Sequence, residues 1–262
     1  MLEQNDLNAI QKLLKSPKKI TIISHRNPDG DAMGSSLALL HFLKQFHHEV
    51  LFISPNEFPD YLAWLPGTNE VVVFEREFEK ALKILTTSDL IFTLDFNALH
   101  RTGDAMQKTL ETLEVPMIMI DHHQTPDDYP VFTFSDTNYG STCEMIYDFI
   151  NALGYNELIN KDVATCIYTG IVTDSGSFRF PKTTATTHRC VADLIIKGVT
   201  NSEIHNLLFD NANYNRLQLL GRALQNLVVL TEYQTSYISL SQEELNTFKH
   251  EKGDTEGIVN YG

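Results

Sequence analysis

Short apolar, β-branched runs alternate along this chain with longer segments of helical period. That alternation is the pattern of βαβ units wound around a parallel sheet. The runs Ile20–Ser24, Val50–Ile53, Val71–Phe74, Leu90–Asp95 and Val115–Ile120 predict strands, and Gly34–Phe46, Phe78–Thr86 and Ala105–Leu113 predict the helices between them. Strand ends therefore carry the polar residues. Ser141–Leu153 and Lys161–Thr173 also read as helices, and Thr183–Lys197 reads as another that starts in a Thr-rich cap and stops at Gly198.

The fold class expected is α/β: a doubly wound, mostly parallel sheet domain over residues 1–198. A helical linker over 199–225 follows, with helices at Ser202–Asp210 and Asn213–Gln225. Residues 226–262 read as the start of a second, smaller α/β domain, with a hairpin of Leu227–Glu232 and Thr235–Leu240 and a short helix from Ser241. A segment so short does not complete an independent core, so this second domain is expected to be incomplete in the chain.

The composition is that of an ordinary globular protein, with 42% hydrophobic and 21% charged residues. The longest apolar runs fall far short of the ~20 residues that span a bilayer, and the first residues are not signal-like, so no membrane association is expected. Three cysteines, Cys143, Cys166 and Cys190, are widely spaced and lack CxxC pairing. They read as small buried residues in a reducing cytosol, which makes the expected location cytoplasmic. A net charge of −14 disfavours long duplex nucleic acid as a ligand, because such binding rests on Lys and Arg clusters. Carboxylates gathered around divalent cations would make that acidity tolerable.

The candidate chemistry lies at the strand ends. Ser24-His-Arg-Asn-Pro-Asp-Gly-Asp31 joins the first strand to an amphipathic helix, at the carboxyl end where α/β folds place ligands. His25, Asp29 and Asp31 converge in that tight turn, and an imidazole with two carboxylates suits Mn²⁺, Fe²⁺ or Zn²⁺ better than Ca²⁺. The ordinary alternative is an Asx-rich turn that only caps the helix. Asp95 ends another strand and is followed by Asn97 and Arg101. Asp121-His122-His123 ends a third, and three such residues in a row at a sheet tip have few structural uses. Asp174 closes an apolar helix, where the helix dipole disfavours a carboxylate unless something such as a metal favours it; the ordinary alternative is a solvated turn aspartate.

These four clusters, in this order, resemble the DHH phosphoesterase family, named for the triplet seen here as Asp121-His122-His123. The resemblance covers Ile20 to Phe180, and the layout looks like the branch of nanoRNases and pAp phosphatases, which pairs this lobe with a DHH-associated domain. It implies two divalent cations, usually Mn²⁺ with Mg²⁺, Co²⁺ or Fe²⁺ as alternatives. His25, Asp29 and Asp95 would hold one, Asp31, His122 and Asp174 the other, with Asp95 bridging. Asp121 would support the site from behind, and His123 would face the phosphate. Arg101 would balance phosphoryl charge, with an ion pair to Asp104 as its ordinary alternative. Asn97 and Ser141 are the candidate substrate contacts, although Ser141 also reads as a helix cap.

The activity implied is metal-dependent hydrolysis of short RNA from an end, with dephosphorylation of 3′-phosphoadenosine 5′-phosphate (pAp) at the same site; a homodimer is admitted. Pyrophosphatase or exopolyphosphatase chemistry, and cleavage of cyclic dinucleotides or their linear products, stand as enzyme alternatives. A nucleotide-binding regulator stands as the non-enzyme one. The glycine-rich, histidine-containing loop that the associated domain supplies in related enzymes is not found in these 262 residues. His41, His47 and His48 read as surface or capping residues, and Trp64 and Tyr61 as core.

Overall fold

The computed structural model describes residues 4–210, 213–251, 253–255 and 257–262. In chain order the first part runs α1 (Gln4–Leu13), β1 (Lys19–Ile23), α2 (Gly30–Lys44), β2 (Glu49–Ser54), β3 (Val72–Val73), α3 (Phe78–Thr86), β4 (Leu90–Leu94) and α4 (Asp104–Leu110). It continues with β5 (Met117–Asp121), β6 (Phe132–Ser135), α5 (Thr142–Ala152), α6 (Lys161–Asp174) and α7 (Ala185–Ile196). Then come α8 (Asn201–Phe209), α9 (Tyr214–Gln225), β7 (Val228–Leu230), β8 (Thr235–Tyr237) and α10 (Gln242–Thr247).

β1 to β6 form one sheet in the order β3-β2-β1-β4-β5-β6, parallel throughout. This is the doubly wound architecture the apolar runs predict. β4 and β5 are buried along their whole length, as expected for strands covered by helices on both faces. On one face Ile23, Ile53, Phe74, Ile91 and Met117 pack with Ala81 and Leu85 of α3 and Met106 and Leu110 of α4. On the other, Phe92 of β4 meets Phe149 of α5 with ring centroids 6.3 Å apart. Each large side chain taken fully out of water here contributes about 1.5–3 kcal/mol.

α2 lies closely against α6. A Cβ at Gly34 would stand 2.6 Å from the Cys166 carbonyl oxygen, so only glycine admits this approach. Such contact brings the start of α2 and the end of α6, which carry Asp31 and Asp174, together at the carboxyl end of the sheet.

Three sequence expectations need correction. α2 begins at Gly30 rather than Gly34, because Asp29 is its N-cap and accepts from the Asp31 and Ala32 amides; Asp31 is thus helical. β6 was not expected, since Phe132–Ser135 is a short edge strand whose partner, β5, supplies the pairing that its own length does not. His48 is buried, and its Nδ1 accepts from the Lys18 amide at 3.1 Å.

The chain divides into two compact units, one of residues 1–58 with 62–201 and the other of 59–61 with 202–262. In the second, α9 buries Leu219 and Ala223, β7 and β8 pair antiparallel, and α10 starts in a Ser241–Glu244 capping box. Asn226 ties α9 to that box by donating to the Glu244 carboxylate at 2.9 Å. The helices at Asn201–Phe209 and Tyr214–Gln225 thus belong almost wholly to this unit. Among the described residues no helix is long and apolar enough to cross a membrane.

Candidate metal centre

The strand order reverses between β1 and β4, and the crevice beyond their carboxyl ends is where open α/β sheets bind ligands. His25 follows β1, Asp95 follows β4 and Asp121 ends β5. The sheet thus delivers three of the four sequence clusters to one rim, and α2 and α6 bring the remaining carboxylates.

His25 Nδ1 lies 2.9 Å from the Arg26 carbonyl. A carbonyl can only accept, so Nδ1 carries the proton and Nε2 presents its lone pair. That Nε2 faces Asp95 Oδ2 at 3.4 Å and Asp29 Oδ1 at 3.9 Å. His122 is arranged alike, with Nδ1 3.4 Å from the Tyr139 carbonyl. Its Nε2 lies 3.4 Å from Asp174 Oδ2, 3.5 Å from Asp95 Oδ1 and 3.9 Å from Asp31 Oδ2. An imidazole tied through one nitrogen and open at the other is the usual posture of a metal ligand. Burial, followed by the neighbouring His123, lowers the His122 pKa and so favours the neutral, ligating form.

Asp95 has a left-handed backbone, φ 65°, held by its amide donating to the Ile120 carbonyl at 3.1 Å. Such a conformation is uncommon outside glycine, although Asp tolerates it, and it concentrates at functional sites. Each Asp95 oxygen faces a different histidine. Asp31 is fully buried and accepts from the Thr142 and Cys143 amides at 2.6 and 2.9 Å, two of the orphan donors that open α5. Asp29 serves α2 as its cap while its Oδ1 also faces His25. The capped-turn reading and the ligand reading therefore describe the same residue.

Burial, followed by the nearby charges of Asp95 and Asp29, raises the Asp31 pKa well above the carboxylate range. Burial together with Asp29 and Asp174 does the same for Asp95, and burial with Asp31 and Asp29 pushes Asp174 up to about 8. Carboxylates so placed must hold protons or share a cation. The donor atoms of His25, Asp29 and Asp95 lie within 4.8 Å of one another, as do those of Asp31, His122 and Asp174, and of Asp95, His122 and His123. Carboxylate oxygens mixed with imidazole nitrogens fit a divalent transition metal.

Asp121 stands behind this rim, fully buried. Its Oδ1 is 2.7 Å from His123 Nδ1, and its Oδ2 accepts from the His123 amide at 3.1 Å. The carboxylate therefore fixes the orientation of His123, whose side chain remains partly open to solvent at 38%.

The remaining expected residues are not members of these donor groups. Arg101 is exposed on the turn after β4, and among the described residues it makes no ion pair with Asp104. Asn97 donates its side-chain amide to the Gln124 carbonyl at 2.6 Å, fixing the loop after the Asp-His-His triplet. Ser141 is buried and caps α5 by accepting from the Glu144 amide at 3.1 Å. Sequence reasoning missed Thr142, whose hydroxyl donates to Asp95 Oδ1 at 2.8 Å while its amide holds Asp31. Its neighbour Ser141 carried the local signal, but the partner 47 residues away leaves none.

The family model described as "DHH family, N-terminal domain" matches residues 19–171, more than half of the chain. The bifunctional oligoribonuclease and PAP phosphatase of Thermus thermophilus is 31% identical over 83% of this chain. The Bacillus subtilis protein of the same description is 29% identical over 87% of this chain and 69% of its own length. The chain spans 62% of the length of the Thermus protein. A crystal structure of an exopolyphosphatase-related protein from Bacteroides fragilis superposes with a TM-score of 0.95 at 38% identity, covering 99% of this chain and 76% of that one.

Proposed function

This chain belongs to the DHH family, and from that membership we propose that it is a metal-dependent phosphoesterase of short oligoribonucleotides and of pAp. The observation that carries the reading is the Asp95 carboxylate, which stands between the imidazoles of His25 and His122. His25, Asp29 and Asp95 would hold one divalent cation and Asp31, His122 and Asp174 a second, with Asp95 shared. Manganese is the ion we favour for this donor set. Such cations supply Lewis acidity toward phosphoryl oxygens and lower the pKa of an attacking water.

The chain's own groups do the remaining work. Asp121 holds His123 by its Nδ1, which leaves Nε2 to meet a phosphoryl oxygen as charge develops there. Arg101, which makes no ion pair with Asp104 among the described residues, is assigned to the same charge. Asn97 positions the loop that bears the triplet's downstream side, and Ser141 lines the approach to the rim. The net charge of −14 fits small substrates drawn by the cations better than long duplexes. Three buried, unpaired cysteines fit a reducing cytoplasm. We read the second unit as belonging to a DHH-associated domain.

The test is Mn²⁺-supplemented turnover of a diribonucleotide, pAp and inorganic pyrophosphate by the full chain. Cleavage of the two nucleotides, abolished by chelation, is the expected result. Preference for pyrophosphate overturns the nucleotide reading.

A further inference from the structure

A cavity of about 460 Å³ opens beside the metal cluster, sharing His122 and Asp174 with it. The size is that of a small-molecule site. Its far walls include Ile171, Phe180 and Pro181, and the acidic side is Glu144. Against the carboxylates of Glu144 and Asp174 the lining offers one cation, Lys182. An inorganic phosphate finds little to hold it among the apolar walls, whereas a flat, neutral group is well served.

The wall bearing Phe180 is built under strain. Gly176, Ser177 and Phe178 all have left-handed backbones, with φ of 55°, 59° and 65°, which is costly for a bulky residue such as Phe178. Ser175 holds the turn: its Oγ accepts from the Phe178 amide at 2.9 Å, and its carbonyl accepts from the Arg179 and Phe180 amides at 2.9 and 3.0 Å. A Cβ at Gly176 would stand 2.6 Å from the Phe180 ring. The turn thus sets an aromatic ring beside the metal rim, and that residue keeps 42% of its surface exposed.

Two polar groups in the lining lack their full complement of partners. Glu144 is only 4% exposed, yet among the described residues its carboxylate accepts from the Thr187 hydroxyl alone, at 3.0 and 3.2 Å. The Thr183 hydroxyl is buried with no partner among the described residues. A buried donor without a partner is costly, and a carboxylate with one donor has acceptor capacity to spare, so these are the polar groups the cavity offers a ligand.

We propose that this cavity holds the nucleoside joined to the phosphate at the metal cluster, with the Phe180 ring as its stacking wall and Glu144 accepting a hydrogen bond from it. This rests on the phosphoesterase reading above. It also supplies that reading with a means of preferring nucleotides to inorganic phosphates, because pyrophosphate reaches the cations but has nothing to place against Phe180. The donor to Glu144 is either a ribose hydroxyl or a base amine.

The experiment is calorimetric titration of AMP and of inorganic phosphate into the Mn²⁺-loaded full chain, for the wild type, Phe180→Leu, Phe180→Tyr and Glu144→Gln. Phe180→Leu keeps apolar volume and removes the ring; it should weaken AMP about ten-fold, with a much smaller change for phosphate, and Phe180→Tyr should restore AMP binding. Equal weakening of both ligands, or no weakening of AMP, overturns the stacking wall. Glu144→Gln should likewise weaken AMP. The penalty should vanish with 2′-deoxy-AMP if the ribose is the donor, or with IMP if the base amine is. An equal penalty with all three nucleotides overturns the role of Glu144. A Mn²⁺-induced rise in melting temperature equal to the wild type's shows that each variant is folded with its rim intact. Failure of the phosphoesterase reading appears separately, as absence of turnover by the wild type whatever its affinity for AMP.

Discussion

The Thr142 hydroxyl donates to Asp95 Oδ1 across 2.8 Å, fixing the carboxylate that faces both His25 and His122. The same residue's amide holds Asp31 at 2.6 Å, so one residue at the head of α5 spaces two of the acids. Thr142→Val removes the hydroxyl and keeps the shape. The Mn²⁺ concentration for half-maximal turnover should rise by about ten-fold to a hundred-fold, whereas Thr142→Ser should stay near the wild type. An unchanged Mn²⁺ dependence in the valine variant would show that Asp95 needs no such support.

Asp121 acts through His123 in this account, since both of its oxygens are spent on that residue. Asp121→Asn should lower kcat by about ten-fold or more. Combined with His123→Ala, it should cost no more than His123→Ala alone, the mark of two residues acting as a unit. Additive losses in the double variant would give Asp121 a separate role.

The crowded carboxylates make metal-free stability depend on pH. With its pKa pushed up to about 8, Asp174 binds its proton more tightly folded than unfolded, where the value is about 3.9. Its contribution is therefore complete below the unfolded pKa and is lost as pH rises through the folded one. A cation replaces the missing proton. The rise in melting temperature on adding Mn²⁺ should be larger at pH 8 than at pH 5.5; a rise that is equal or larger at pH 5.5 would contradict the picture.

The approach of α2 to α6 at Gly34 is tight because the Cys166 carbonyl and the Gly170 amide, both backbone atoms, stand 2.6 and 3.1 Å from where a Cβ would lie. Gly34→Ala should lower stability by about 1–3 kcal/mol, read from the urea midpoint. A neutral effect would mean that the helices part freely.

Much of this was legible in the chain. Apolar runs such as Leu90–Leu94 fixed the strands because a parallel sheet buries both faces, and the polar residue that ends each run marked the rim. The six residues expected as ligands, His25, Asp29, Asp31, Asp95, His122 and Asp174, fall in the groups the fold brings within reach. What escaped was non-local or ambiguous. Thr142 gains its place from an acid on another strand end, and β6 exists through its partner. The start of α2 was hidden by Asn-Pro-Asp-Gly-Asp, which reads equally as a turn and as a capped first turn. Asn97, expected at the substrate, gives its amide to Gln124, a contact across 27 residues that no local pattern announces.

Whether Asp95, between His25 and His122, joins two cation sites is decided by counting bound Mn²⁺ while assaying pAp. Equilibrium dialysis of the wild type should give two ions per chain. Asp95→Ala should bind no more than one and lose phosphate release from pAp by about a hundred-fold or more. Two ions retained in that variant, or release at the wild-type rate, would contradict the account.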